Sequence, residues 1–416
     1  MSTRTYYDPL HQSITLNSSK PEEKMVMELI DSSPFQRLRR IKQLGPAFLT
    51  FHGAESSRFT HSIGVFYLAR RAINHLIKFD QNLKKYKFIL YGAALLHDIG
   101  HGPLSHTSEA MFGIKHEEWT SKLISSSHEI TKILNRYGNQ NSRLISDLIQ
   151  KRTSTHKAII SLISSQLDCD RLDYLMRDSY STGTRYGQID IDRIFSAITI
   201  APDGDLAIHP KGLMAVEHYL VVRDLMYRSV YNHRINEVCN WLLEQIIKTA
   251  RVLGPQKVWA DENMYQWLWN HKKMNLDSFL ANDDNIIGYH ISKWKDSSSK
   301  NLSNLCKRFL NRELLKALNL SSFSACKRLQ VLAKARVLSE KYRIEPDITC
   351  GIREQIVKSY HPYKHGLRLW DGTNLQALEE VSPLVERLAD SNKSSWLIYP
   401  KEIEKELKIQ INTLTI

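Results

Sequence analysis

The chain has 416 residues, 42% of them hydrophobic and 24% charged, a composition that excludes a disordered or fibrous protein and supplies a substantial core. At roughly 100 to 200 residues per domain, this length predicts two or three domains or one large lobed unit. The 57 Lys and Arg exceed the 44 Asp and Glu by a formal +13, which favours anionic partners such as nucleotides, nucleic acid or acidic lipid heads.

The first ten residues, MSTRTYYDPL, contain no apolar core of a signal peptide, so a cytoplasmic location is expected. Ile14-Thr15-Leu16 is the first strand signal, and Phe48 to Phe51 is a second. From Pro21 to about Ala250 the chain reads as a succession of helices. Ser57 to His75 and Tyr86 to His97 are two of them, with apolar residues at three- and four-residue intervals. The most apolar run, Phe88 to Leu96, is interrupted by Gly92 and stops at His97. It falls far short of the roughly 20 residues needed to span a bilayer and reads as a buried helix, so no membrane partner is expected. Ala197 to Ile200, then Ala-Pro-Asp-Gly, then Leu206 to His209 predict a hairpin.

Asn285 to Ser303, polar and rich in Ser and Lys, is the most linker-like stretch and places a soft boundary near 270 to 300. One unit is expected over 1–270, and a basic, mostly helical C-terminal region, suited to oligomerisation or regulation, over 271–416. Between Ile291 and Tyr360, 15 Lys and Arg accompany 6 Asp and Glu. A solvated helical face and a phosphate- or nucleic-acid-binding surface both fit that excess. The fold class is therefore mainly α with small β-hairpin additions. Cys169, Cys239, Cys306, Cys326 and Cys350 form no C-x-x-C pair and are expected as reduced core thiols. Trp259, Trp267, Trp269 and Trp294 are expected in the core or an interface, and Met25, Met27, Met214 and Met226 in helix packing.

The segment that carries chemistry is LLHDIGHGPLSH, Leu95 to His106. Three histidines and an aspartate at the end of an apolar helix need partners, because burying them unpaired costs several kcal/mol. His97 and His101 share a helical face, and Asp98 projects about 100° around from His97. Gly100, Gly102 and Pro103 predict that the helix ends there, at the mouth of a pocket. A mixed His/Asp set suits a divalent ion, Mn, Fe, Mg, Ni, Co or Zn, more than Ca. His61, in SRFTHSIGV, and Asp170, in QLDCDRLDYLMRD where Asp168, Asp170, Asp173 and Asp178 crowd an otherwise apolar helix, are candidate further ligands.

The order H, then HD, then D is that of the HD-domain metal phosphohydrolases. PFQRLRRIKQLG (Pro34 to Gly45), SRFTHSIGV (Ser57 to Val65), LLHDIGHGPLSH, KHEEW (Lys115 to Trp119) and LDCDRLDYLMRDSYSTG (Leu167 to Gly183) resemble the deoxynucleoside triphosphate triphosphohydrolases of that superfamily over roughly residues 4 to 250. The resemblance implies a helical HD-domain fold and hydrolysis of a dNTP to deoxynucleoside and triphosphate. It implies His61, His97, Asp98 and Asp170 as ligands of one divalent ion, with a second Mg carried by the triphosphate. His101, His106 and His116 are implied to line the cleavage site, Glu109 to orient one of them, and His106 is favoured as proton donor.

The same resemblance places Arg58, Arg171 and Arg223 on phosphate, with Arg171 standing where Lys is common. Gln43, Tyr174 and Asp178 meet the sugar, and Tyr231 and Asn232 the base, with Asn232 standing where relatives carry Gln. Arg4, Asp31, Gln36 and Arg39 match a first activating-nucleotide pocket and Arg193 part of a second, in a homo-oligomer expected to be a tetramer. The family's D-P-x-H-G opening reads Asp8-Pro9-Leu10-His11-Gln12 here, and a glutamine disfavours positive φ at that turn. Two other readings stay open: HD chemistry on another phosphoester (a nucleoside monophosphate, a cyclic dinucleotide or a nucleic-acid end), and a nucleotide sensor that binds nucleic acid through its basic C-terminal region.

Overall fold

The computed structural model describes residues 2–153, 155–358, 360–362 and 366–412. The chain opens with an antiparallel hairpin, β1 (Thr3–Asp8) and β2 (Gln12–Asn17). Ile14 and Leu16 alternate with exposed neighbours, as a half-buried strand requires. At the turn, Gln12 takes the left-handed conformation, φ 61°, that a glycine would adopt freely. Asp8 compensates: its Oδ1 accepts the amides of Leu10 and His11, both at 2.9 Å, and clamps the turn.

Three helices form the centre. Arg58–Leu76 and Lys87–Leu96 pack on one another, and Cys169–Thr182 packs on the first. Lys87–Leu96 is buried over nearly its whole surface, as its run of apolar residues predicts. It stops where Gly100, Gly102 and Pro103 predict, so His97 and Asp98 sit on its exit turn. Cys169–Thr182 is capped by Asp168, whose carboxylate accepts the Arg171 amide, and ends at left-handed Gly183. Further on, helix Leu213–Met226 runs into a π turn, Tyr227–Tyr231, before helix Arg234–Leu253.

The predicted hairpin forms as β3 (Ile198–Ile200) and β4 (Leu206–Ile208). The C-terminal third returns to it: β7 (Arg368–Trp370) runs parallel to β4, and β8 (Leu375–Ala377) completes the sheet. A second sheet has β9 (Ser391–Tyr399) between β5 (Lys316–Asn319) and β6 (Gly351–Lys358). The architecture is mainly α with small sheets, and no helix among the described residues is long and apolar enough to cross a membrane.

Several sequence expectations are corrected. Phe48 to Phe51 is not a strand: Gly45–Leu49 is a 3-10 turn. Gly45, at φ 53°, lies where a Cβ would meet the Leu104 carbonyl at 2.6 Å, and Pro46 continues the turn. Asn285 to Ser303 is mostly helical, in Asp284–Trp294 and the start of Lys300–Leu310. Asp283 and Ser299 cap these helices, and Ile287, Ile291, Trp294 and Leu302 are buried, so the polar composition belongs to the outer faces. Met214 is 81% exposed and Trp259 is 52% exposed, so neither is core, and Cys326 is an exposed thiol while the other four cysteines are buried.

Candidate active site

Three elements bring four donors together. His61 lies in the first turn of Arg58–Leu76, His97 and Asp98 on the exit turn of Lys87–Leu96, and Asp170 in the first turn of Cys169–Thr182. His61 Nε2 is 3.0 Å from Asp170 Oδ1 and 3.5 Å from Asp98 Oδ2, while His97 Nε2 is 3.5 Å from Asp98 Oδ2 and 3.6 Å from Asp170 Oδ1. His97 Nδ1 donates to the Ala94 carbonyl at 2.9 Å, which leaves Nε2 as a bare lone pair. That atom is buried with no hydrogen-bond partner among the described residues. A lone pair facing two carboxylates is a cost unless a cation sits among them, so the donor set fits a divalent ion. The charges show the same demand. Burial opposes protonation of His61, yet the hydrogen bonds it donates to the Asp170 and Asp173 carboxylates push its pKa up to about 10. Asp98 and Asp170 are held well below the carboxylate range despite burial, the first by Arg58, the second by His61 and His97.

Beside this knot stand three imidazoles and one carboxylate. The His101 and His116 rings stack at 4.0 Å, and His106 meets them edge-on at 4.8 and 5.2 Å. Glu109 Oε1 accepts His116 Nδ1 at 2.5 Å and His106 Nδ1 at 3.2 Å. Burial would raise the Glu109 pKa, but the two histidines outweigh it and hold it at about 2. Burial, Arg58 and His116 drive His101 well below its ordinary value, so it is a neutral imidazole. His106, at the start of helix His106–Phe112, is the exposed member of the group, its side chain 68% exposed.

The backbone before His106 is strained, with Leu104 and Ser105 at φ 62° and 56°. Asp284 holds it, accepting the Leu104 amide at 2.6 Å and the Lys42 amide at 2.8 Å, and Ser105 Oγ donates to the Lys42 carbonyl at 2.5 Å. Arg37, fully buried, donates to the His101 carbonyl at 2.8 Å.

His97, Asp98, Asp170, His101, His106 and His116 line a cleft of about 490 Å³ that also holds Gln43, Arg58, Arg171, Tyr174, Asp178, Tyr227 and Tyr231. Arg58 bridges Asp98 at 2.5 Å and Ser105 at 2.9 Å. Arg171 pairs with Asp168 and keeps a buried Nε without a hydrogen-bond partner among the described residues. Tyr231 donates to Asp178 at 2.9 Å, and the Tyr174 and Tyr227 hydroxyls meet at 3.4 Å, which closes one wall. Burial pushes the Asp178 pKa up to about 7.

Two of the residues expected on the substrate are not among those lining the cleft. Arg223 is buried, its Nε and Nη1 without a hydrogen-bond partner among the described residues and its guanidinium 5.8 Å from the Tyr227 ring, and Asn232 ends the π turn. A second chamber of about 280 Å³ shares Gln43, Leu44, His106 and Tyr231 with the cleft and continues to Asn236, Asn240, Glu237, Glu244, Arg353 and Gln355. Sequence reasoning missed those last six, because β6 supplies two of them from more than a hundred residues away. It also missed Arg37 and Asp284, each of which stands among other charged or polar residues with no local pattern to set it apart.

Elsewhere, Arg4 pairs with Asp31 at 2.7 Å and Arg39 with Gln36 at 2.8 Å on the outer surface. Arg193 lies apart from them, donating to the Lys211 carbonyl at 2.7 Å.

A helical scaffold that converges two histidines and two aspartates, flanked by further imidazoles, defines a metal-dependent phosphohydrolase centre. Comparison with known proteins agrees. Residues 58–178 match the HD domain model and residues 189–409 match that of the HD-associated region, so the chain belongs to the HD-domain phosphohydrolase family. It is 33% identical to the uncharacterised protein YwfO of Bacillus subtilis, over 96% of this chain and 93% of that one. It is 31% identical to the deoxynucleoside triphosphate triphosphohydrolase SAMHD1 homolog of Dictyostelium discoideum, over 65% of this chain and 57% of that protein. A solved phosphohydrolase from Bacteroides thetaiotaomicron superposes with a TM-score of 0.83 at 28% identity, covering 96% of this chain and all of that one.

Proposed function

We propose that the protein is a dNTP triphosphohydrolase, converting a dNTP and water to deoxynucleoside and inorganic triphosphate. The observation that carries this reading is the mixed lining of one cleft. It holds His97, Asp98 and Asp170, the three imidazoles and the cations Arg58 and Arg171 together with Gln43, Tyr174, Asp178 and Tyr231, and it shares Gln43, His106 and Tyr231 with the second chamber.

His61, His97, Asp98 and Asp170 would hold a divalent ion, which would supply charge neutralisation at phosphorus and a more acidic water. The chain's own groups do the rest. Arg58 and Arg171 orient the phosphates by forked hydrogen bonds. Water adds at the α-phosphorus, the bond to the 5′ oxygen breaks, and His106, poised by Glu109, returns a proton to that oxygen. His101 stays neutral and stacks under His116. Tyr174, Tyr231 and Asp178 form a closed wall at the sugar, which disfavours a 2′-hydroxyl. Similarity to the deoxynucleoside triphosphate triphosphohydrolase of Dictyostelium discoideum supports the same substrate class.

The test is direct: with Mn²⁺, each dNTP should release tripolyphosphate and each NTP far less, and His97→Ala should abolish release. Pyrophosphate or orthophosphate as first product would overturn the cleavage point, and turnover of another phosphoester alone would overturn the substrate. Activation by a nucleotide bound near Arg4, Asp31, Gln36 and Arg39, in a homotetramer, is part of the same proposal. Mass in solution with and without nucleotide checks it.

A further inference from the structure

The N-terminal hairpin reaches the donor knot through Asp173. Its carboxylate is fully buried and accepts four N–H groups. On Oδ2 these are His61 Nδ1 at 2.8 Å and Arg177 Nε at 2.7 Å, and on Oδ1 they are His11 Nε2 at 2.6 Å and Arg177 Nη2 at 2.9 Å. Two carboxylate oxygens offer about four lone-pair sites, so the acceptor is saturated and cannot turn. His11 comes from the turn between β1 and β2, has a side chain only 6% exposed, and rests against the Tyr67 ring at 5.2 Å. Arg177 donates in addition to Asp8 Oδ2 at 2.9 Å, and Asp8 Oδ1 clamps the amides of Leu10 and His11. The turn is therefore docked twice on helix Cys169–Thr182. Gly64 makes the room: a Cβ there would stand 2.0 Å from Asp173 Oδ1 and 2.5 Å from Arg177 Nη2.

We propose that His11 is a positioning residue for the bound ion: by holding Asp173 it fixes the His61 ring with Nε2 aimed into the donor knot, so that hairpin docking and ion binding form one coupled equilibrium. Each ring nitrogen facing Asp173 must be the donor, because an ionised carboxylate only accepts. His61 is thus committed as a donor through Nδ1, which leaves Nε2 as the nitrogen facing the knot, the one whose lone pair would serve an ion once the proton it shares with Asp170 is displaced. Without His11, Oδ1 loses one of its two donors and Asp173 is held on that side by Arg177 alone. Coupling is reciprocal: if the docked hairpin tightens the ion, the ion must stabilise the docked hairpin by the same factor. The inference rests on reading the knot as a metal site and is indifferent to which phosphoester is cleaved, since no substrate atom enters it.

The experiment uses the full chain, measuring Mn²⁺ affinity by competition with a chelating dye and hydrogen exchange of Thr3–Asn17 with and without saturating Mn²⁺. His11→Phe keeps a ring against Tyr67 but removes the donor, and should weaken Mn²⁺ by about 10- to 100-fold. His11→Gln, which still offers an N–H, should recover most of that loss. Mn²⁺ should slow exchange across the hairpin in the wild type and not in His11→Phe. A His11→Phe chain that matches the wild type in both Mn²⁺ affinity and ion-dependent protection overturns the proposal. A wild-type chain that takes up no Mn²⁺ overturns it together with the reading of the knot.

Discussion

Arg58 shows how tightly the site is wired at the level of single residues. One guanidinium neutralises Asp98, supports Ser105 beside the strained turn, and helps keep His101 neutral. Arg58→Lys retains the charge but not the fork, so it should lower kcat/KM while leaving the fold intact, as read by steady-state kinetics beside a circular dichroism spectrum. His106→Ala removes the exposed imidazole and should cost about 10² to 10⁴ in kcat. Single-turnover release of tripolyphosphate measures it, and an unchanged rate would assign the proton to another group.

Asp284 gives a prediction in pH. Burial raises its pKa to about 6, against an ordinary value of about 4, even though it accepts two backbone amides. A raised carboxyl favours its protonated form in the folded state, so its contribution to stability is full below pH about 4 and is lost as pH rises through 6. A shift of that size amounts to at most about 3 kcal/mol. Denaturant midpoints taken across pH 4 to 7 should fall less steeply in Asp284→Asn, and parallel slopes would contradict the assignment.

At the scale of elements, the buried pair of Arg177 with Asp8 joins the hairpin to helix Cys169–Thr182, and His61 on Asp173 joins helix Arg58–Leu76 to the same helix. Arg177→Met would remove the cation that two buried carboxylates share, and urea unfolding should report a loss of about 3–5 kcal/mol. The π turn Tyr227–Tyr231 is a second junction: one extra residue per turn places Tyr231 against Asp178 and Tyr174. Element type was legible where periodicity was strong, as in Arg58–Leu76 and Lys87–Leu96. It failed at Phe48–Phe51, where apolar β-formers follow Gly45 and Pro46 and have no strand to pair with. It failed again at Asn285–Ser303, where a polar outer face masked buried Ile287, Ile291 and Trp294.

For the whole molecule, an ion bound only by the folded chain stabilises it by mass action, by about 2.7 kcal/mol at a hundredfold excess over Kd. Mn²⁺ should therefore raise Tm and EDTA reverse it in the wild type, with no response in Asp170→Asn. The four candidate donors that the fold brings together were legible because the family's H, HD and D segments each carry a local pattern: a histidine opening an amphipathic helix, an HD at a helix exit, an aspartate on a capped first turn.

From residue order alone follow the helical class, the exit turn that presents His97 and Asp98, and the list of groups able to bind an ion and phosphate. Those are short-range matters of period, cap and breaker. Only the folded chain decides that Asp173 serves His11 and His61 at once, that Asp284 restrains the turn before His106, that Asn232 stays out of the cleft, and that β6 brings Arg353 and Gln355 to its inner chamber. Each of these depends on which faces pack together across long stretches of chain, and close packing fixes that globally, with no local pattern to record it.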